Sequence, residues 1–241
     1  MYITPSIYKP GALKSFKLGG NSNFGASTDV GVGVKFETEG GFGIATNIVD
    51  KSADSDTGFL ANGTSKWDTQ VAYTTDRWHV SATLSDAQNW TSQAYNATAL
   101  GAGMKGSTGD TTGYAFRGYW MPEESGTAVP EISVGYDIKS ADESASGAAK
   151  EADSYMVGLT WKDMFQADDR IGLAITQPLK VTECNGTCTS TEVDPLVWEA
   201  YYAFKPNDSV EVRPAIFGGT DVENSTEDDI FGALLTTTFK F

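Results

Sequence analysis

The stretch Ile230-Phe-Gly-Ala-Leu-Leu-Thr-Thr-Thr-Phe-Lys-Phe241 separates cleanly into two sets of side chains. Phe231, Ala233, Leu235, Thr237, Phe239 and Phe241 fall on one face, and Gly232, Leu234, Thr236, Thr238 and Lys240 on the other. Successive side chains of a strand point to opposite faces, so sustained period-two alternation is the pattern of a β-strand with one apolar face. Upstream, Leu196, Trp198, Ala200, Tyr202 and Phe204 alternate with Val197, Glu199, Tyr201, Ala203 and Lys205. The same pattern recurs at Val30–Phe36, Phe42–Ile48, Trp67–Tyr73, Trp78–Leu84, Tyr114–Trp120, Ile132–Ile138, Tyr155–Trp161, Ile171–Ile175 and Val210–Ile216. Eleven strands are predicted, with Tyr2 to Tyr8 as a candidate twelfth, in one all-β, antiparallel domain over residues 1–241.

Composition narrows the class. The 241 residues hold 17 Lys and Arg against 32 Asp and Glu, a formal net charge of −15. Such an acidic balance argues against binding nucleic acid or anionic lipid through charge. No apolar run is long enough for a transmembrane helix. With one histidine, His79, and two cysteines, Cys184 and Cys188, a His/Cys metal cluster cannot be assembled, and no cofactor is expected. No Gly-rich phosphate loop, Gly-x-Ser-x-Gly elbow or HExxH is present. His79, Ser81 and Asp68 are the one conceivable catalytic set, and three such residues on adjacent strands arise readily by chance, so no enzyme is expected. Cys184-Asn-Gly-Thr-Cys188 lies in a loop-like stretch and is predicted to close a small disulfide ring in an oxidising compartment. The opening residues lack a basic region followed by an apolar one, so they are not read as a secretory signal.

Two architectures satisfy these constraints: an extracellular β-sandwich and an outer-membrane β-barrel. Both alternate. In the sandwich the apolar face is the core, whereas in the barrel it meets lipid and the opposite face lines a wet lumen. Trp67, Trp78, Trp120, Trp161, Tyr73, Tyr136, Tyr155, Phe204 and Phe241 lie at strand ends, where interfacial aromatic girdles belong. Short links at Glu37–Gly41, Thr75–Arg77, Met121–Ala128, Asp163–Asp169 and Lys205–Asp208 alternate with long ones at Lys51–Lys66, Asp86–Asp110, Ser140–Asp153, Leu179–Asp194 and Gly218–Glu227. This is the rhythm of short periplasmic turns and long extracellular loops. The runner-up is a secreted or surface β-sandwich that binds a partner through acidic loops.

The segments Asp228–Phe241 and Trp198–Phe217 resemble the last strands of bacterial outer-membrane porins. The second is similar to the last hairpin of cyanobacterial porins that couple a surface-layer-homology domain to a barrel of the carbohydrate-selective type. The resemblance implies a porin barrel of about sixteen strands, of which this chain would supply eleven or twelve. It also implies a homotrimer in the cell outer membrane, passive diffusion of small hydrophilic solutes, inorganic ions and carbohydrates, and a terminal signal, Phe239 and Phe241, read by the barrel-assembly machinery. A signal peptide and a surface-layer-homology domain, both features of that family, are not visible in these residues.

On the face expected to line the lumen lie Lys35, His79, Arg117, Lys139, Lys162, Arg170, Lys205, Arg213 and Lys240, with Asp68, Glu131, Asp137, Glu199 and Glu211. Arg117 and Arg213 sit near mid-strand, where a ring of charge sets which ions pass. The plainer alternative pairs each with a neighbouring carboxylate such as Glu211 or Glu199. Tyr119 and Tyr201 face the same way and could stack on a sugar ring or fill space. The Asp86–Asp110 segment, with Trp90, Tyr95, Leu100 and Met104, is the candidate for a loop folded into the lumen. Acidic loop residues such as Asp54, Asp142 and Glu223 would concentrate cations at the outer mouth. Removing Phe241 is expected to impair assembly into the membrane, and a normal yield of heat-modifiable barrel from the shortened chain would contradict the terminal-signal reading.

Overall fold

The computed structural model describes residues 8–9, 11–12, 30–50, 58–60, 65–88, 110–141, 146–147, 149–188, 194–221 and 229–240. Eleven strands form within them: β1 (Val30–Glu37), β2 (Phe42–Asp50), β3 (Ser65–Thr74), β4 (Trp78–Gln88), β5 (Thr111–Trp120), β6 (Glu131–Ala141), β7 (Ala149–Lys162), β8 (Arg170–Cys184), β9 (Leu196–Asn207), β10 (Val210–Thr220) and β11 (Ile230–Phe239). They make a single sheet in sequence order, each strand antiparallel to the next. One sheet, rather than two packed face to face, is not the architecture of a sandwich. Among the described residues β1 pairs with β2 and β11 with β10, and no pairing joins β1 to β11.

Register holds the two faces apart across the whole sheet. One row of directly paired residues runs Trp78, Trp120, Ile132, Leu159, Leu173, Ala200, Ile216 and Ala233. The adjacent row, one residue along each strand, runs His79, Tyr119, Ser133, Gly158, Ala174, Glu199, Phe217 and Gly232. A slip of one residue in any pair would exchange these rows, so the alternation in sequence fixes the register.

The burial of the two rows is the reverse of a water-soluble sheet. Val32, Val34, Phe36, Trp67, Val80, Phe116, Val134, Leu173 and Leu235 are exposed, several with half or more of their surface open. His79, Ser85 and Glu199 on the opposite face have 0% relative exposure, and Arg117, Asp137 and Lys139 are also buried. We refer to these as the outer and inner faces. The edge strand β1 is exposed on both sides, and β11 largely so.

Two connections depart from the rhythm read in the sequence. The link at 142–148 is shorter than the one at 121–130, because β6, β7 and β8 run on beyond their apolar stretches. Pairing persists to Ala149 and Cys184 through register shifts near Glu151 and Tyr155. Lys150 bridges Glu183 at 2.5 Å there, and Lys180 pairs with Asp194. Apolar alternation stops where polar cross-strand pairs take over, which is why these residues read as loop. Cys184, at the end of β8, is disulfide-bonded to Cys188. The candidate twelfth strand is not seen where it is described: Tyr8 lies outside any strand, and Tyr2–Ile7 are outside the described residues, as are 89–109 of the candidate lumen loop and Phe241.

The turn between β7 and β8 is built around one carboxylate. Asp163 and Asp168 take left-handed φ values of 58° and 64°, a conformation that Asp tolerates better than most residues. This brings the amides of Met164, Phe165 and Gln166 to 2.8, 3.0 and 3.1 Å from the Asp169 carboxylate, and the Tyr202 hydroxyl donates to it at 2.9 Å. Burial opposes ionisation of Asp169, but these four donors outweigh it and hold the carboxyl below its usual range. At the adjacent Asp168 an exposed bridge from Lys205 at 2.8 Å acts in the same direction. Because the native carboxyl is more acidic than the unfolded one, its contribution is complete above about pH 4 and is lost as the pH falls through the native value. Asp169→Asn is expected to cost about 1–2 kcal/mol at neutral pH, low in the range for charge-assisted bonds because the turn borders solvent. It should also flatten the acid limb of stability, as read by denaturant unfolding in detergent from pH 7 to pH 3.

Candidate functional site

The inner face divides into three zones along the sheet. From β3 to β6 it is buried and polar, with charged side chains paired across it. Lys66 lies 3.7 Å from Asp68, and the Gln70 amide donates to the Thr83 hydroxyl at 2.8 Å. Arg117 forms an ion pair with Asp137 and donates to the carbonyls of Phe116 at 2.9 Å and Tyr136 at 3.3 Å. Short side chains alternate with these long ones: Ser81, Thr83, Ser85, Ala115 and Ser133 are all buried among them. Small neighbours leave room for a guanidinium or ammonium group to reach across to a carboxylate, and a buried charge is tolerable only with such a partner.

From β7 to β10 the inner face changes character. Gly158, Gly172, Ala174, Ala203 and Ala215 replace the polar residues, and Met156, Val197 and Tyr201 join them in a buried apolar patch. Tyrosine rings occupy the space that side chains would fill. A Cβ on Gly172 would lie 2.0 Å from the Tyr201 ring, and one on Gly158 would lie 2.7 Å from that of Tyr8. Tyr8 comes from the N-terminal segment, 3% exposed, with its ring centroid 6.2 Å from that of Tyr201. Its hydroxyl donates to Glu199 Oε1 at 2.7 Å, the Gly11 amide donates to the same oxygen at 2.7 Å, and the Ala12 amide donates to Oε2 at 3.0 Å.

Toward the short-turn end lies a charged cluster. Glu211 accepts from Arg170 Nη2 at 3.0 Å and from Arg213 Nη2 at 2.8 Å, so one carboxylate joins two guanidinium groups. Arg213 stands 5.7 Å from the centre of the Tyr201 ring, within reach of a cation–π contact. Lys162 bridges Glu131 at 2.5 Å. A cavity of about 300 Å³ opens here, lined among others by Lys9, Lys162, Arg170, Tyr201 and Lys205. Unlike the β3–β6 network, these groups keep some exposure: about a fifth for Arg170 and Arg213, and more for Lys162.

The residues singled out in the sequence therefore separate. Arg170, Arg213, Glu211 and Tyr201 come together, with Lys162 and Lys205 nearby. Arg117 does not join them; its side chain is 1% exposed and its carboxylate partner is Asp137 rather than Glu211 or Glu199. Tyr119 stacks on His79 with ring centroids 5.5 Å apart. His79 in turn shares a 2.7 Å hydrogen bond with the Thr74 hydroxyl, and no hydrogen bond among the described residues links it to Ser81 or Asp68. Phe239 ends β11, paired with Val210 on the exposed face. Sequence reasoning missed Tyr8, Gly11 and Ala12. The available signal was the run of Gly and Ala at inner positions of β7–β10, where an otherwise polar face turns small and apolar.

Among the described residues no group of His, Cys, Asp and Glu is placed to hold a metal ion. No protein-family model matches the chain, and no curated protein matches it.

Proposed function

We propose that the chain forms a β-barrel in an outer membrane and lets small hydrophilic solutes and inorganic ions, sugars included, diffuse through it. The observation that carries this reading is the inverted polarity of the sheet. Large apolar side chains stay exposed along strand after strand, while Lys, Arg, Asp and Glu are buried on the other face. Water would penalise such an outer surface at about 25 cal/mol per Å² of apolar area, whereas hydrocarbon would not. Strand length agrees: ten or eleven residues in β3–β6 rise about 3.4 Å each and, tilted near 45°, cover roughly the apolar height of an outer membrane.

The aromatics support the same placement. Near the short turns Tyr73 packs on Trp78 at 5.1 Å, and the Trp161 indole donates to the Ala128 carbonyl at 2.9 Å. At the other end the Trp67 indole donates to Thr46 at 2.7 Å, and Trp198 lies 6.2 Å from Phe231. Trp67 and Trp161 each combine an apolar body with a hydrogen-bonded polar edge, as interfacial belts require. In lipid the free edges of β1 and β11 would leave backbone groups unpaired at several kcal/mol each. The reading therefore needs those edges joined to each other, to further strands of a larger barrel, or to partner chains in a trimer. Within the barrel the Arg170–Glu211–Arg213 cluster is the part of the lumen wall suited to act on passing ions, because its charges are partly exposed. No covalent step or cofactor is called for; width and charge set what passes.

In planar bilayers under a salt gradient the parent chain is expected to give stable unitary steps. Arg170→Gln with Arg213→Gln, which leaves Glu211 without its partners, should raise cation-over-anion permeability about threefold. An unchanged reversal potential would remove the cluster from the ion path. Arg117→Met should behave differently. It strands buried Asp137 at about 3–5 kcal/mol, lowering folded yield on a heat-modifiability gel while leaving selectivity of the surviving channels alone.

A further inference from the structure

We propose that the segment bearing Tyr8, Gly11 and Ala12 is a tethered insert that narrows the passage, seated on β7–β10 and latched by the Glu199 carboxylate. The narrowing rests on the channel reading above; the docking does not. Three donors from one short segment converge on one buried carboxylate, at 2.7, 2.7 and 3.0 Å. Two of the three are backbone amides, so the latch fixes the path of the chain as well as the position of one side chain. Hydrogen bonds to an ionised acceptor are about twice as strong as neutral ones.

The seat is shaped for this occupant. On an inner face that is polar elsewhere, Met156, Ala174, Val197, Ala203 and Ala215 form an apolar floor beneath Tyr8 and Tyr201. Gly158 lacks the Cβ that would strike the Tyr8 ring at 2.7 Å, and Gly11 lacks the one that would strike Tyr201 at 2.5 Å. The fit thus depends on glycine on both partners. An apolar floor facing a water-filled lumen would be costly if bare, and the segment covers it. Lys9 of the same segment reaches the cavity beside Arg170 and Lys205, which sets the insert toward the short-turn end.

Two measurements test this. For docking, Ala12→Cys supplies a single thiol, since Cys184 and Cys188 are bonded, and its rate of reaction with a bulky, membrane-impermeant maleimide is measured in detergent. Adding Glu199→Ala should speed labelling about tenfold or more, the loss of at least one charge-assisted hydrogen bond. An unchanged rate would overturn the latch. For narrowing, Tyr8→Ala, Glu199→Ala and Gly158→Val each remove a different part of the contact. Each should raise unitary conductance roughly twofold as the lumen widens. Tyr8 lies off the sheet, so Tyr8→Ala remains informative if a strand variant folds poorly. Faster labelling with unchanged conductance would mean an insert that docks without narrowing, and would overturn that half of the proposal. An Ala12→Cys chain that labels as expected but, like the parent, never conducts would instead sink the channel reading.

Discussion

From β2 to β10 this sheet puts bulky apolar side chains on its exposed face and mostly small or charged ones on its buried face, and the rest of the structure follows from that inversion. Backbone pairing must be continuous, because a gap would leave amides facing whatever surrounds the outer face. From β2 to β10 each strand has a partner on both sides. Over β3–β6 the buried face is filled by charges that neutralise each other and by residues small enough to let them meet, and over β7–β10 by the apolar patch around Met156, Val197 and Tyr201. Register carries the whole arrangement, since a one-residue slip would place ion pairs outside and valines within.

That requirement explains the different fates of two arginines. Arg117 has Asp137 alongside and serines, threonines and alanines around it, so the pair is enclosed and bound to the local backbone as well. Such a pair is weak evidence for net stability, because desolvation offsets the attraction, but losing either member alone is expensive. Arg213 shares its carboxylate with Arg170, stands against Tyr201 and borders open space. One guanidinium is part of the wall, while the other is part of what the wall presents. Sequence position near mid-strand was the same for both; burial distinguishes them.

The alternation of Phe231 to Phe239, or of Trp78 to Leu84, was enough to read strands, faces and meander order, because period two is a local property that register then propagates. Strand ends were less legible. β7 and β8 continue through Lys150, Glu151, Lys180 and Glu183 by polar cross-strand pairs, and a residue pattern shows such pairing only once the partner strand is known. The small disulfide ring was legible from close spacing in a Thr/Asn/Gly stretch, although Cys184 ends β8 rather than lying in a loop. The Asp169 turn was not legible, since its amides come from three neighbours in bent backbone between two left-handed Asp residues that composition does not announce. Within the site, the face of each charged residue was legible but its partner was not. Arg117 meets Asp137 across a strand pair whose neighbours had to be known first.

The seat of Tyr8 shows where face-by-face reading reaches its limit. Glycine and alanine at inner positions of β7–β10 look, strand by strand, like weak points in the pattern, since they add little apolar area and no charge. Only when register sets Gly158, Ala174 and Glu199 side by side in one row do they become a surface, a shallow apolar floor with an acceptor at its edge. A segment with one aromatic ring and two free amides in succession satisfies both parts at once, and it need not be a strand to do so. Alternation cannot predict such a partner because the partner has no alternation. The strands specify the shape of the inner face, and it is the absence of side chains at a few points along it that determines what can lie there.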